Sequence, residues 1–170
     1  MRKRVAVLIS GRGSNMAALI KAAQAPDYPA EIVLALANKP DAGGLEMARA
    51  AGIAAQAIDH RPFKKDREAH ERAIDAALRA AGAEIICLAG YMRLLTPFLV
   101  NAWAGRMLNI HPSLLPSFPG LDTHARALAA GVKLHGCTVH LVTEVMDEGP
   151  IPATPARRPV PGSGLRPSPP

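Results

Sequence analysis

Apolar residues follow two rhythms along this chain. Unbroken runs occur at RVAVLIS (4–10), EIVLALAN (31–38), EIICLAG (84–90), RMLNI (106–110) and GCTVHLVT (136–143). Each is short and bounded by polar or glycine residues, which predicts strands buried on both faces. AAQAID (54–59) reads as a shorter strand. Between the runs the spacing becomes helical: NMAALIKAAQ (15–24), GLEMARAAG (44–52), DREAHERAIDAALRAAG (66–82), PFLVNAWAG (97–105) and DTHARALAAG (122–131). In the third helix Ala73, Ile74, Ala77, Leu78 and Ala81 share one face, Asp66 is the candidate N-cap and Gly82 the stop. Pro97 suits the first turn of the fourth. Strands alternating with helices predict an α/β fold, a doubly wound and mostly parallel sheet. Such sheets bind ligands beyond the carboxyl ends of their strands. GRGSN, GYMR and HPSLLP leave the first, fourth and fifth strands at that rim.

The alternation stops after Gly149. The last 21 residues, PIPATPARRPVPGSGLRPSPP, hold eight of the sixteen prolines. Such a stretch fits neither a helix nor an interior strand. Residues 1–151 therefore read as one domain and 152–170 as a disordered tail. The 170 residues are 49% hydrophobic and 20% charged, a globular composition. The basic, then apolar start MRKRVAVLIS is too short for a secretory or membrane-spanning segment, so a cytoplasmic protein without membrane contact is expected. Of the net charge of +6, the acid-free tail carries three, leaving +3 for residues 1–149. With no basic stripe interleaved with aromatics, small anionic substrates are expected rather than nucleic acid. Cys87 and Cys137 lie in apolar strands and read as buried, reduced thiols.

Three stretches carry chemistry. SGRGSN presents backbone N–H groups and a helix N-terminus to an anion, with Ser14 and Asn15 as added donors. Met16 stands where a dinucleotide fingerprint has its third glycine, and the Lys-Ser/Thr of a P-loop is missing; a plain tight turn remains the alternative. NIHPS places Asn109 and His111 on one face of an extended segment. Both can donate to a developing oxyanion if His111 is protonated; a capped strand end is the alternative. Asp147, in the loop after the sixth strand, could raise the His pKa or accept a proton through water, with Glu144 and Glu148 as neighbouring competitors. His60 and His70 are expected at the surface, His124 at a helix start, and His140 as a partner of the site or a core residue, with His135 beside it. No His/Cys/Asp cluster has ligand spacing, so no metal is expected. No Ser or Cys nucleophile elbow is present. A nucleophile carried by a substrate is implied.

Together VLISGRGSN, LAGYMRLLTP, GRMLNIHPSLLPSFPGLDTHARAL and HGCTVHLVTEVMDEGPI resemble phosphoribosylglycinamide formyltransferase, the folate-dependent family of purine synthesis, from about Val5 to Ile151. The resemblance implies a Rossmann-like formyltransferase fold and transfer of a formyl group from 10-formyltetrahydrofolate, a co-substrate, to the amine of glycinamide ribonucleotide. Asn109, His111 and Asp147 match the family's catalytic residues. Gly13, Ser14, Asn15 and Arg67 match its phosphate contacts. Met92, Arg93, Leu94 and Leu95, with Val145, Met146 and Asp147, match its folate pocket. Thr138 stands where the family has a hydroxyl near the catalytic Asp, Pro112 lies on the substrate side, and His140 is a supporting residue. A monomer or weak homodimer is expected. Methionyl-tRNA formyltransferase and formyltetrahydrofolate deformylase, which share the Asn-His-Asp chemistry, would carry further domains.

The resemblance ends near Ile151. The family continues with a strand and a long helix, and the Pro-rich tail stands in their place. A reading-frame shift near codon 151 would give this pattern. The alternatives to a transferase are then a non-catalytic remnant, a folate-binding module, or a weak formyltetrahydrofolate hydrolase.

Overall fold

The structure, a computed structural model, describes residues 1–157 and comprises two units, Met1–Leu108 and a second beginning at Asn109. The first contains β1 (Lys3–Ile9), α1 (Ser14–Ala23), β2 (Ala30–Ala37), α2 (Gly44–Ala50), β3 (Ala55–Ala57), a 3-10 turn (Arg61–Phe63), α3 (Arg67–Ala80), β4 (Ile85–Leu88) and α4 (Pro97–Ala102). β5 (Met107–His111) runs through the division. Within the first unit the strands pair in parallel, in the order β3-β2-β1-β4.

The apolar runs explain this sheet. Val5, Val7 and Ile9 pack with Met16 and Ile20 of α1 and with Leu45 and Ala48 of α2. Ala6 and Leu8 point to the opposite face, because side chains alternate along a strand, and both are 0% exposed. A strand covered on both faces makes the sheet doubly wound, as its sequence predicts. α3 starts where its N-cap does: Asp66 accepts from the Ala69 N–H at 2.9 Å. The arginines that open β1 close two helix ends. Arg2 donates to the carbonyls of Ala23 and Ala25, and Arg4 to those of Ala81 and Gly82, satisfying groups a helix C-terminus leaves open.

One histidine departs from expectation. His70 is not at the surface but 1% exposed, one turn before Ile74 on the buried face of α3. Its Nε2 lies 2.8 Å from the Ile58 carbonyl and donates to it. Burial holds its pKa below the usual histidine value. Glu71 beside it is also buried and accepts from both the backbone N–H and the hydroxyl of Thr96. Both cysteines are free and half-buried, and burial pushes the Cys87 thiol up to about 11.

The second unit holds the last residues of β5, α5 (Thr123–Ala129), β6 (His135–Gly136), β7 (Thr138–Leu141) and β8 (Ala156–Arg157). β6 pairs antiparallel with β8, and Val139 forms a further antiparallel bridge with Ala153. The expected disorder from residue 152 therefore does not hold through 157. Cys137, Val139 and Leu141 donate their N–H groups to the carbonyls of Pro155, Ala153 and Pro150. A proline lacks a donor but keeps its carbonyl, so a Pro-rich segment can still pair along an edge. The rest of the expected tail, 158–170, lies outside the described residues.

Candidate functional site

In the first unit a cleft of about 250 Å³ opens beyond the carboxyl ends of β1 and β4. Strand order turns back between these two strands, the place where open α/β sheets bind ligands. Ser10, Gly11, Arg12, Gly13, Ser14 and Asn15 line one side; Lys39, Ala89, Gly90 and Met92 complete it. Gly13 takes the N-cap of α1 with φ +73°, and no side chain caps that end. A Cβ there would also press on Met16 and on Gly44, at 3.1 and 3.2 Å. The glycine thus lets the loop turn left-handed against α2 and leaves the first N–H groups of α1 toward the cleft. Those N–H groups, with the cations of Arg12 and Lys39, suit an anion. Arg67 is exposed at the first turn of α3 and is not among the cleft-lining residues.

The loop after β4 begins at the cleft. Met92 and Leu94 are 68% and 61% exposed, unusual for large apolar side chains. Arg93 and Leu95 between and after them are half-buried. Tyr91 is buried, and its hydroxyl is the buried side-chain group without a hydrogen-bond partner among the described residues. Burial raises the pKa of its phenol.

In the second unit four predicted residues converge. Asp147 Oδ1 lies 3.4 Å from His111 Nδ1 and 3.7 Å from His140 Nε2. His140 Nε2 is 3.0 Å from the Asn109 amide nitrogen. The three titratable side chains are nearly enclosed, 6%, 8% and 4% exposed for His111, Asp147 and His140. Their proton positions follow from the partners. His140 Nδ1 faces the Leu141 carbonyl at 3.1 Å, which can only accept, so the proton sits on Nδ1 and Nε2 accepts from Asn109. One amide hydrogen of Asn109 is then spoken for, and the other has no partner among the described residues. His111 has acceptors at both nitrogens, the Phe118 carbonyl at 3.1 Å from Nε2 and Asp147 at Nδ1. Nε2 therefore carries a proton for the Phe118 carbonyl.

The supports of this cluster are backbone devices. Asp147 adopts φ +60°, and its second oxygen accepts from the Gly120 N–H at 3.1 Å. Asp tolerates that left-handed conformation better than most residues. Two residues later, Gly149 is pressed so close to β7 that a Cβ would overlap the Leu141 carbonyl. After β5, Thr138 fixes the HPSLL turn from within: its hydroxyl donates to Ser113 O and accepts from Leu115 N, at 2.7 and 2.9 Å. No hydrogen bond joins Thr138 to Asp147 among the described residues, so its hydroxyl serves the turn instead. Pro112 is exposed and its carbonyl accepts from Thr123. Val145 and Met146 are 56% and 59% exposed in the Asp147 loop. His124 and His135 pair with each other at 2.8 Å, and burial is the main cause lowering the His135 pKa.

Sequence reasoning missed Ser10, Arg12 and Lys39 in the cleft. Lys39 had a readable signal, a cation directly after a buried strand. Ser113, Gly120 and Gly149 act through backbone contacts that no motif announces. Among the described residues no three His, Cys, Asp or Glu side chains are grouped to hold a metal ion, and no helix is long and apolar enough to cross a membrane.

Residues 3–158 match the family model described as formyl transferase. Phosphoribosylglycinamide formyltransferase of Escherichia coli (strain K12) is 45% identical over 147 residues, covering 86% of this chain and 69% of its own length. Trifunctional purine biosynthetic protein adenosine-3 of Bos taurus is 49% identical over 150 residues; they cover 88% of this chain but only 15% of that protein. The crystal structure of phosphoribosylglycinamide formyltransferase from Brucella melitensis superimposes with a TM-score of 0.90 at 60% identity, over 95% of this chain and 83% of that one.

Proposed function

The chain belongs to the formyl transferase family, among the phosphoribosylglycinamide formyltransferases, and from that premise we propose that it transfers the formyl group of 10-formyltetrahydrofolate to the amine of glycinamide ribonucleotide. The observation that carries the reading is the Asn109–His140–Asp147–His111 cluster, in which hydrogen bonds orient Asn109 and His140 and Asp147 lies close to both imidazoles.

The substrate amine attacks the formyl carbon, and the carbonyl oxygen becomes an oxyanion. The spare amide hydrogen of Asn109 and the charge of doubly protonated His111 stabilise it. The reach of 3.4 Å from His111 Nδ1 to Asp147 is longer than a good N–H···O bond, so this proton can turn to the oxyanion as charge develops there. Asp147, held by Gly120, keeps His111 charged and takes the amine proton through a water. The proton then passes to the folate nitrogen as its bond to the formyl carbon breaks. The new C–N bond, the broken C–N bond and the relayed proton balance without metal or redox partner.

The phosphate of the substrate is assigned to Gly13, Ser14 and Asn15, with Lys39 and Arg12 neutralising its charge. Arg67 is retained as an outer phosphate contact. Exposed Met92 and Leu94, with Arg93 and Leu95, are assigned to the folate ring system, as are Val145 and Met146. The test is consumption of 10-formyltetrahydrofolate by the purified chain with and without glycinamide ribonucleotide. Turnover that needs the nucleotide is the expected result. Folded protein that consumes the folate equally without it would identify a hydrolase instead.

A further inference from the structure

Ser10 links the loop assigned to phosphate with the loop assigned to folate through a part-buried bond to Met92 and a buried one to Asn38. Its hydroxyl accepts from the Met92 N–H at 2.8 Å and donates to Asn38 Oδ1 at 2.6 Å. Its backbone N–H donates to the Gly90 carbonyl at 3.1 Å. Asn38 is 2% exposed and Ser10 8%. Asn38 is itself fixed, because its carbonyl accepts from His60 Nδ1 at 2.8 Å.

A hydroxyl has one proton. Asn38 takes it, so Ser10 meets Met92 as an acceptor and has no proton left to donate elsewhere. Ser10 immediately precedes Gly11 of the anion loop. It therefore grips the β4 exit at two points, Gly90 and Met92, on either side of Tyr91. The exits of β1 and β4 cannot shift independently without breaking these hydrogen bonds, one of them part-buried, and a stranded N–H away from water is costly. The same cleft is lined by Gly11–Asn15 on one side and Met92 on the other.

We propose that Ser10, oriented by Asn38, is a positioning residue that couples the two substrate-binding loops of the first unit, so that binding of nucleotide phosphate and of folate are thermodynamically linked. Ordering of one loop by its ligand removes part of the ordering cost of the other. The linkage is reciprocal: each ligand raises the affinity for the other by the same factor. The inference rests on the assignment of the two loops made above.

Calorimetric titration of the full chain tests it. The probes are glycinamide ribonucleotide and 5,8-dideazafolate, a folate analogue without a formyl group, each titrated alone and in the presence of the other. In the wild type the second ligand binds at least about 5-fold tighter than alone. In Ser10→Ala the factor falls to 1, and each affinity alone weakens by less than about 10-fold. Ser10→Thr, which keeps the hydroxyl, restores the factor; a merely structural role would not sort the variants this way. Asn38→Ala keeps the acceptor for Met92 but frees its direction. It loses part of the coupling and carries the test if Ser10→Ala fails to fold. A wild-type factor of 1 with both ligands bound, or an unchanged factor in a folded variant lacking the link, overturns the inference and leaves the loop assignments standing. A wild type that binds neither ligand overturns those assignments and the inference with them.

Discussion

Leu8 and Thr138 are both fully buried, for opposite reasons. Leu8 sits in a parallel sheet whose buried positions are nearly all apolar; Ser10, Asn38, His70 and Glu71 are the polar exceptions in the first unit. Thr138 sits where the balance reverses. Among the described residues of the second unit, His111, Ser113, Thr123, Thr138 and His140 are buried, against Leu115 and Ala127 for the apolar residues. The first unit is held by area removed from water, a non-directional force that tolerates small shifts. The second is held by hydrogen bonds that lose their worth when geometry slips. Two strand segments and a loop that bring together an amide, two imidazoles and a carboxylate gain more from the directional kind.

The contrast can be broken most severely at Asp147. Asp147→Asn removes the charge while an oxygen can still accept from Gly120, so turnover should fall by about 10²–10⁴ with the melting temperature nearly unchanged. Formyl transfer assays beside thermal melts check this, and near-normal turnover would remove Asp147 from the mechanism. Leu8→Ala should do the reverse, costing about 2–5 kcal/mol of unfolding stability and leaving kcat per folded molecule intact. Denaturant titration separates the two.

Thr138→Val sharpens the comparison. It keeps the shape but strands the Ser113 carbonyl and the Leu115 N–H, and should cost about 1–3 kcal/mol. Here stability and kcat should fall together, because the stranded turn follows His111; a stability loss with full kcat would show that the turn does not hold the site. The smallest effect is expected at His70. Burial lowers its folded-state pKa below 6.5, so the unfolded chain takes up the proton first as pH drops. Stability is therefore complete above about pH 6.5 and declines as pH falls toward the lowered value. His70→Gln, which can still donate to the Ile58 carbonyl, should flatten that slope in melts between pH 7 and 5.

The legibility of the sequence follows the same divide. Strands β1, β2 and β4 are unbroken apolar runs, and α3 carries its cap and its stripe, so the periodicity alone places them. Asn109 and His111 could be put on one face because the strand period is two. Asp147 is expected at the rim near His111, but its approach to His140 as well could not be read, since it depends on a left-handed backbone, a bond from Gly120 and the close approach at Gly149. His70 reads as a surface residue because it is polar; its carbonyl partner, Ile58, comes from another segment. The Pro-rich stretch reads as disordered because it fits neither a helix nor an interior strand, although Pro150 and Pro155 need only their carbonyls to join β7 and its flank.

The left-handed turn at Asp147 also limits how this protein can change over generations. Asparagine and glycine are the replacements such a backbone accepts most readily, and each is one nucleotide substitution away from an aspartate codon. Asparagine would keep an oxygen for the Gly120 N–H and leave the loop in place, whereas glycine would keep the backbone but lose that bond; either removes the carboxylate. If the proposed role of the carboxylate holds, the asparagine step leads to a folded descendant without turnover. Loss of activity by this route would leave little trace in expression level or melting temperature. Only an assay for turnover would reveal it.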